Sequence, residues 1–531
     1  MPKKKKFRLK NIQLHPLTAF IFMTLGVMVL SSILQLFKVQ ITYSTINKSG
    51  DLESTIVAVK GMFSGYGFRY LISEALRNFA TFVPLSTLLV GLLGLSVAHA
   101  SGLIDAFIKR GTLRVNNKVI TFILIFIAIF SSAINEVGYV ILIPLAALVY
   151  LANGRNPLLG ITAAFCGVAF GYGATLFAGS TEIALVPITE MAARVVDSSF
   201  HVSMLSNLFA ILVTTIVLSF VGTYVIENIM VKKIGRYRLT DEEEAEETKE
   251  IQLETMELEE QKRLEREILE RKGLKYAAIA LVVTLLVIAY MIIPGLPASG
   301  LLLDTTEFAY MDQLFGDNSY FQSGFTMLVS IIFLVTGIAY AMGAKTLKSD
   351  KELIEKVTLY LKNVGYVIAL IFFASNFIAI FKETNIGTLL VGVIANLLKN
   401  IQFTGFPLIL VVLLAIAVSG LFVTTQTAKW TILSPVVVPL MMQANVSPQF
   451  TQFIFRAGDS MMKGYTPLLA YFVIYLAYLN IYNKGNEPIT ITKALSYVTP
   501  YCIIVGIAWI FIILFFYMLG IPIGPNVSVG L

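Results

Sequence analysis

Charged residues are scarce in this chain of 531 residues: only 14% of positions are charged, whereas 56% are apolar. Soluble domains carry roughly 25% charged residues, so this composition excludes an ordinary water-soluble enzyme and predicts that lipid surrounds most of the surface. Cysteine and histidine are nearly absent, with two and three copies. Their scarcity excludes a disulfide-stapled scaffold and a zinc protein.

Positive charge is concentrated at the N-terminus rather than spread along a nucleic-acid-binding face. Six of the first ten residues are basic, and an apolar run at about 17–37 follows them. Because no small-residue cleavage pattern comes after this run, we predict an uncleaved first membrane helix. The positive-inside rule then places segment 1–16 in the cytoplasm, and no nucleic-acid partner is expected.

Long apolar stretches recur along the chain and predict an all-α polytopic membrane protein. A membrane helix needs about 20 apolar residues to cross roughly 30 Å of hydrocarbon. If nine stretches cross, the basic loops fall on one side, which predicts a cytoplasmic N-terminus and an external C-terminus. The nine predicted spans lie at about 17–37, 79–104, 157–195, 202–230, 274–294, 324–343, 355–398, 450–480 and 494–520.

Two further apolar stretches, about 118–152 and 404–445, are interrupted near the middle by polar residues. Each half has only about 15 residues, which is short for a spanning helix, so each stretch is predicted to be a re-entrant helical hairpin. For the first stretch, two spans joined by a short loop are the alternative. A proline follows each polar tip at the same distance, at Pro144 and Pro439, so the two stretches are interpreted as repeats.

These features divide the chain into a first membrane half, 17–239, and a second membrane half, 274–531. An acidic segment, 240–273, connects them, and in it Glu and Lys or Arg recur three or four residues apart, as at Glu267 and Arg271. This spacing is typical of a solvated helix with ion pairs. We predict a cytoplasmic connector, with a regulatory or docking role as the alternative.

Polar and ionisable residues inside the apolar stretches are the strongest functional signal. Burying a charge near the bilayer centre costs at least about 2.5 kcal/mol, so such a residue is a functional-site hypothesis by default. The interruptions of the two hairpin stretches contain Asn135, Glu136 and Gln426. The spans that follow are each broken by glycine or proline and carry a carboxylate, Glu182 in the first half and Asp459 in the second.

Each half therefore contains an interrupted stretch followed by a broken span. An odd number of predicted spans separates the two copies, so one copy is inverted relative to the other across the membrane. Inverted repeats with discontinuous helices are the signature of a secondary transporter with its site near the bilayer midplane. We expect H⁺ or Na⁺ to be coupled to transport there, and the hairpin-tip carbonyls are candidate sodium ligands.

Three motifs of the second half resemble the aminobenzoyl-glutamate transporter (AbgT) family. They are segment 375–387 (SNFIAIFKETNIG), Ala428-Lys429-Trp430, and segment 455–468, with its Arg-x-Gly-Asp-Ser and later Thr-Pro. The likeness extends from about residue 77 to the C-terminus. It implies a homodimer of nine-span protomers with two re-entrant hairpins in the cell membrane. It also implies ion-coupled transport of p-aminobenzoyl-glutamate, a folate breakdown product, or export of sulfonamide antimetabolites.

The resemblance and the local charges together assign candidate roles to individual residues. The predicted substrate-binding residues are Thr427, Trp430, Arg456, Pro448, Pro467, Asn385 and Lys463. The predicted ion-coupling residues are Asp459, Glu182, Asn135, Glu136 and Gln426. At both Glu136 and Glu182 the family usually has Asp, and at the second hairpin tip it commonly has small residues where this chain has Thr-Gln-Thr. No cofactor is expected.

In the predicted mechanism Asp459 and Glu182 couple the ion, Arg456 binds a substrate carboxylate through a bidentate fork, and Trp430 stacks on the substrate ring. Each role has an alternative. Arg456 and Asp459, three residues apart, would form a structural ion pair with each other. Trp430 would pack against helices or lipid, and Lys463 and Lys382 would extend to a membrane interface.

Two other functions remain open at this point. A carrier for another organic anion, such as a dicarboxylate, would use the same architecture. A channel is disfavoured because the sequence contains no recognisable acidic rings for a pore, and an enzyme because it contains no metal or nucleophile constellation.

Overall fold

The computed structural model describes residues 14–47, 50–111, 115–134, 136–235, 237 and 258–531. Asn135, the basic residues 1–13 and most of the acidic connector therefore lie outside the described residues. Within the described part the chain is predominantly helical, as predicted. Seven helical segments in it are long and apolar enough to cross a membrane: Pro16–Leu36, Gly65–Ala100, Leu208–Ile234, Leu264–Ile292, Tyr320–Ala344, Asp350–Glu383 and Ile491–Leu519.

A β-hairpin follows the first helix, α1 (Pro16–Leu36). Its strands β1 (Gln40–Ile46) and β2 (Leu52–Ala58) pair antiparallel, with Gln40 opposite Ala58. The prediction of a helical polytopic protein is confirmed, but it did not include this hairpin. Tyr43 fixes the hairpin against a later helix: a Cβ at Gly392 would lie 3.1 Å from the Tyr43 ring.

Three helices connect the β-hairpin to the first repeat. They are α2 (Gly65–Ala80), α3 (Val83–Ala100) and α4 (Leu103–Gly111). The first repeat then comprises α5 (Asn117–Ser131), α6 (Val137–Ala152), α7 (Pro157–Phe170), α8 (Ser180–Arg194) and α9 (Leu208–Val225). Through a π-helical turn, Ile226–Met230, α9 continues into α10 (Val231–Ile234).

The described end of the connector and the span after it form one continuous helix, α11 (Leu258–Ile292). Arg271 pairs with Glu267 at 2.9 Å, as the spacing predicted. Small residues let α11 approach the later helix α13 closely, since Gly343 has no space for a side chain: a Cβ there would lie 2.8 Å from the Cα of Gly273.

The helices between the two repeats include a break that the sequence did not predict. They are α12 (Tyr310–Phe315), α13 (Tyr320–Ala344), α14 (Asp350–Tyr360), α15 (Val364–Glu383) and α16 (Ile386–Lys399). The stretch 355–398, predicted as one span, is divided at Asn385, which adopts a left-handed φ of 61°. That conformation is rare for residues other than glycine, and Asn tolerates it better than most.

The second repeat has the same order of elements as the first. It comprises α17 (Gly405–Ser419), α18 (Gln426–Gln443), α19 (Pro448–Met462), α20 (Phe472–Ile481) and α21 (Ile491–Leu519). The third helix of each repeat starts alike, with Pro157 or Pro448 at its first position after a polar cap, Asn156 or Ser447. Proline suits this position because its missing N–H would have no helical partner.

The two repeats interlock. α8 packs on α18 and α19 of the second repeat, and α20 packs on α6 and α7 of the first. The breaks 171–179 and 463–471 are pressed against the opposite repeat: a Cβ at Gly173 would lie 2.5 Å from the Arg456 carbonyl, and one at Gly464 2.8 Å from the Ala169 side chain. The helices of the two predicted hairpins have 15 to 18 residues, and their re-entry into a membrane stays a prediction.

Candidate functional site

A cavity of about 670 Å³ lies where the two polar tips and the two helix breaks meet. Its volume is within the range of small-molecule sites. Four of the predicted site residues line it: Glu136, Gln426, Thr427 and Lys463. The opposite wall is formed by the α2–α3 corner and the end of α15, which contribute Tyr70, Asn78, Phe82, Lys382 and Glu383.

Behind this cavity, Glu182 of α8 forms an ion pair with Arg456 of α19, which joins the two repeats. Both side chains are buried, and the second carboxylate oxygen of Glu182 accepts the N–H of Gly179 at 2.9 Å. The alternative in which Arg456 pairs with Asp459 is therefore wrong. Arg456 and Asp459 are three positions apart on α19, and each pairs with a residue of a different helix.

Asp459 is enclosed by polar groups of the second hairpin. Its carboxylate pairs with Lys429 and accepts the Nε2–H of Gln426 at 2.8 Å. Asp459 and Lys429 are both inaccessible to solvent. The structure therefore brings the predicted coupling residues Asp459 and Gln426 together, with Lys429 as a third member.

Lys463 connects this buried group to the cavity. Its ammonium lies 3.8 Å from a carboxylate oxygen of Glu136, 4.0 Å from Asp459 and 3.1 Å from the centre of the Tyr172 ring. A cation over a tyrosine ring is attracted by the ring quadrupole. With 3% of its side chain exposed, Lys463 does not extend to a membrane interface.

Trp430 is buried and does not line the cavity. Its ring is stacked on Phe455 with centroids 4.4 Å apart. Its Nε1–H donates to the hydroxyl of Thr189 at 2.9 Å, and that hydroxyl lies 2.6 Å from Oε1 of Gln452, to which it donates. In this structure Trp430 packs against helices, as the alternative for this residue expected. Its stacking on a substrate ring stays a prediction.

The remaining predicted residues lie away from the cavity wall or shape its surroundings. Asn385 donates to the carbonyl of Ala58 at 3.2 Å and so ties the β-hairpin to the α15–α16 turn. Pro448 begins α19, and Pro467 lies in the break between α19 and α20. Asn135 lies outside the described residues.

Sequence reasoning missed three residues that complete the buried network. Lys429 was noted as part of a motif, yet a lysine within an apolar hairpin is itself a sufficient signal. Thr189 and Gln452 carry no comparable signal, because isolated hydroxyl and amide groups are common in membrane helices.

Comparisons with known proteins show the family to which this chain belongs. Residues 8–531 match the model of the family described as "AbgT putative transporter family". The p-aminobenzoyl-glutamate transport protein of Escherichia coli (strain K12) is 28% identical over 520 residues, which cover 98% of this chain and 95% of that protein.

Two solved structures are also similar to this chain over nearly its whole length. The YdaH transporter of Alcanivorax borkumensis is 24% identical, with 96% of this chain and 100% of that chain covered and a TM-score of 0.47. MtrF of Neisseria gonorrhoeae, described as illuminating a class of antimetabolite efflux pumps, is 28% identical, with coverages of 97% and 98% and a TM-score of 0.48. Because the family model matches nearly the entire sequence, this chain belongs to the AbgT family of multi-pass membrane transporters and is not an enzyme.

Proposed function

We propose that this protein is an ion-coupled secondary transporter of p-aminobenzoyl-glutamate or a related aromatic anion. The family and the function of the E. coli relative support the substrate. The cavity between the interlocked repeats supports the site, because carriers built from such repeats bind cargo between them.

The observation that carries the substrate proposal is the uneven pairing of charges on the cavity wall. Glu383 pairs with Lys60 at 2.8 Å, and Lys463 lies beside Glu136 and Asp459. Among the described residues, Lys382 is a cavity-lining cation with no carboxylate within 4.0 Å. A substrate carboxylate would supply that partner through a charge-assisted hydrogen bond.

The same wall offers apolar contacts for an aromatic ring. Tyr70 and Phe82 line the cavity close in sequence to Asn78, whose amide can bond a polar substituent. Large ligands bury most of their surface against such apolar and aromatic side chains, while a few polar groups fix their orientation. An aromatic acid therefore matches this wall better than a small dicarboxylate.

Coupling would arise at Lys463, which faces both the cavity and the buried carboxylates. Glu136 is the member of this group with the largest exposure, at 28% of its side chain. A proton or cation that neutralises Glu136 would release Lys463 to a substrate carboxylate, so substrate and ion would favour the same state. In this scheme Asp459 holds Lys463 in place from behind, and Glu182 and Arg456 fasten the repeats together.

The test is uptake of radiolabelled p-aminobenzoyl-glutamate into proteoliposomes, with a pH gradient and a Na⁺ gradient imposed separately. Accumulation under one gradient would support the proposal and name the ion. The variant Asp459→Asn, verified as folded by its elution profile, is expected to lose accumulation. Absence of accumulation by verified wild-type protein under both gradients contradicts the proposed substrate.

The second candidate, a carrier for another organic anion, is separated by competition. Unlabelled p-aminobenzoyl-glutamate should suppress uptake at concentrations near its KM, whereas succinate should not. A sulfonamide that exchanges against labelled substrate from inside the vesicles would indicate export. The proposal also includes a homodimer in the plasma membrane with its N-terminus in the cytoplasm, which cross-linking and terminal labelling in cells would test.

A further inference from the structure

Lys429 lies at a position with the physical character of a cation site. Its ammonium pairs with Asp459 and lies against Gly420, the residue that caps the C-terminus of α17: a Cβ built on Gly420 would be 3.2 Å from Lys429 Nζ and 3.1 Å from the Ala417 carbonyl oxygen. The carbonyl end of a helix carries partial negative charge. Half-helix ends of this kind hold the coupling cation in transporters with broken helices.

The other groups around Asp459 complete the resemblance to a cation site. The amide of Gln426 holds one carboxylate oxygen at 2.8 Å, which leaves the other oxygen to Lys429. No solvent reaches either charged group. A carboxylate buried in this way is costly without a cation, and here the cation is part of the chain.

The repeated fold itself does not require this pair. Counted from the proline that begins each third helix, Asp459 of α19 corresponds to Val168 of α7. Counted back from the equivalent prolines after the two polar tips, Pro439 and Pro144, Lys429 of α18 corresponds to Ile134. The first repeat packs with apolar side chains at both positions, so the ion pair is a specific property of the second repeat.

We propose that the Lys429 ammonium is a tethered cation that takes the place of a sodium ion at the tip of the second hairpin. Asp459 and the end of α17 are neutralised by the chain itself, so the second hairpin binds no Na⁺ and its folded structure does not depend on Na⁺. For transport, the inference rests on the proposed ion-coupled function, in which Na⁺ then has no role at this hairpin.

The experiment measures the Tm of the purified full-length protein in lipid nanodiscs, in NaCl and in choline chloride of equal concentration. Wild-type protein should melt at the same temperature in both salts. Lys429→Ala vacates the position beside Asp459, so its Tm should rise saturably with Na⁺ by about 2 °C or more above the choline value. The double variant Lys429→Ala/Asp459→Asn should lose this sodium effect.

A matched control removes a lysine from an ion pair that is not at a helix end inside the protein. Lys356 pairs with Glu352 at 3.0 Å on the surface of α14, and Lys356→Ala should gain no sodium effect. A sodium-selective rise in the wild-type Tm that Asp459→Asn abolishes would overturn the inference, as would a folded Lys429→Ala protein that ignores Na⁺.

If Lys429→Ala does not fold, ²²Na⁺ binding to the wild-type protein decides the question. Saturable binding that Asp459→Asn removes contradicts the tethered cation, and absence of such binding supports it. None of these measurements uses a substrate, so they stand even if p-aminobenzoyl-glutamate is not transported. Uptake driven by a Na⁺ gradient would support the proposed function, and it would contradict this inference only if Asp459→Asn also removes saturable ²²Na⁺ binding.

Discussion

Glu182 and Arg456 form an ion pair between the two repeats, one at the start of α8 and the other in the middle of α19. Neither side chain is accessible from the cavity, so the pair acts as a fastening rather than as a substrate ligand in this structure. Removal of one member lowers the free energy of unfolding mainly because it leaves the other member as a buried charge without a counterion.

We expect Arg456→Met to destabilise the protein by about 3–5 kcal/mol, since it leaves Glu182 as a buried charge without its cation. The double variant Glu182→Gln/Arg456→Met should recover part of this loss. Arg271→Ala, which removes an exposed pair with Glu267, should cost about 0–1 kcal/mol. Thermal melting in nanodiscs compares the three, and equal Tm values for Arg456→Met and Arg271→Ala would contradict a structural role for the buried pair.

Lys382→Ala should raise the KM for an anionic substrate about tenfold or more, because a charge-assisted hydrogen bond contributes roughly 1.5–3 kcal/mol. Lys382→Arg should retain most of the affinity. Lys399→Ala, an exposed lysine at the end of α16 outside the cavity, is the matched control and should leave the KM unchanged. Concentration-dependent uptake measures all three, and an unchanged KM in Lys382→Ala rules out this anchor.

Gly173→Ala should destabilise the contact between the first break and α19. The added methyl would lie 2.5 Å from the Arg456 carbonyl oxygen and 2.6 Å from Oγ of Ser460, and relief of such overlap costs about 1–3 kcal/mol. Gly324→Ala, in α13 with no atom within 4 Å of the added methyl, should be neutral or stabilising because alanine favours helix. A Tm of Gly173→Ala equal to that of Gly324→Ala would show that the breaks are not tightly packed.

The Trp430–Thr189–Gln452 chain should matter for stability more than for substrate affinity. Thr189→Val leaves the Trp430 indole N–H and the side-chain oxygen Oε1 of Gln452 without their shared partner. We expect the free energy of unfolding to fall by about 1–3 kcal/mol. Trp430→Phe keeps an aromatic ring that can stack on Phe455, so the KM should change by less than about threefold, which corresponds to under 0.7 kcal/mol. An increase of tenfold or more in the KM of Trp430→Phe would instead assign the indole to substrate stacking.

Much of the fold could be predicted because the breaks between helices contain small and polar residues that are recognisable in the local sequence. The polar interruption before Val137, the glycines at 171–179 and the Gly-Tyr-Thr-Pro run at 464–467 all lie where the structure ends one helix and begins another. Backbone groups freed at these breaks must face protein or water, so small and polar residues have to appear there. The division at Asn385 was missed because a single asparagine in an apolar run gives a weak signal.

The partners within the site could not be predicted in the same way. The spacing of Arg456 and Asp459 on one helix is compatible with a local ion pair. That spacing does not indicate that their partners, Glu182 and Lys429, lie on other helices. The β-hairpin was missed for a related reason: its support comes from Gly392 and the α16 surface, which are remote in sequence.

Six ionisable side chains form ion pairs at the hairpin tips and the broken spans. Three are acidic, Glu136, Glu182 and Asp459, and three are basic, Lys429, Arg456 and Lys463. When all six are ionised, their charges cancel. A membrane potential exerts about 2.3 kcal/mol on each elementary charge per 100 mV, but it does no net work on a unit that carries none. Reorientation of the empty carrier would then be electrically silent, and the current recorded from reconstituted protein would count only the charges of the cargo and its coupled ion.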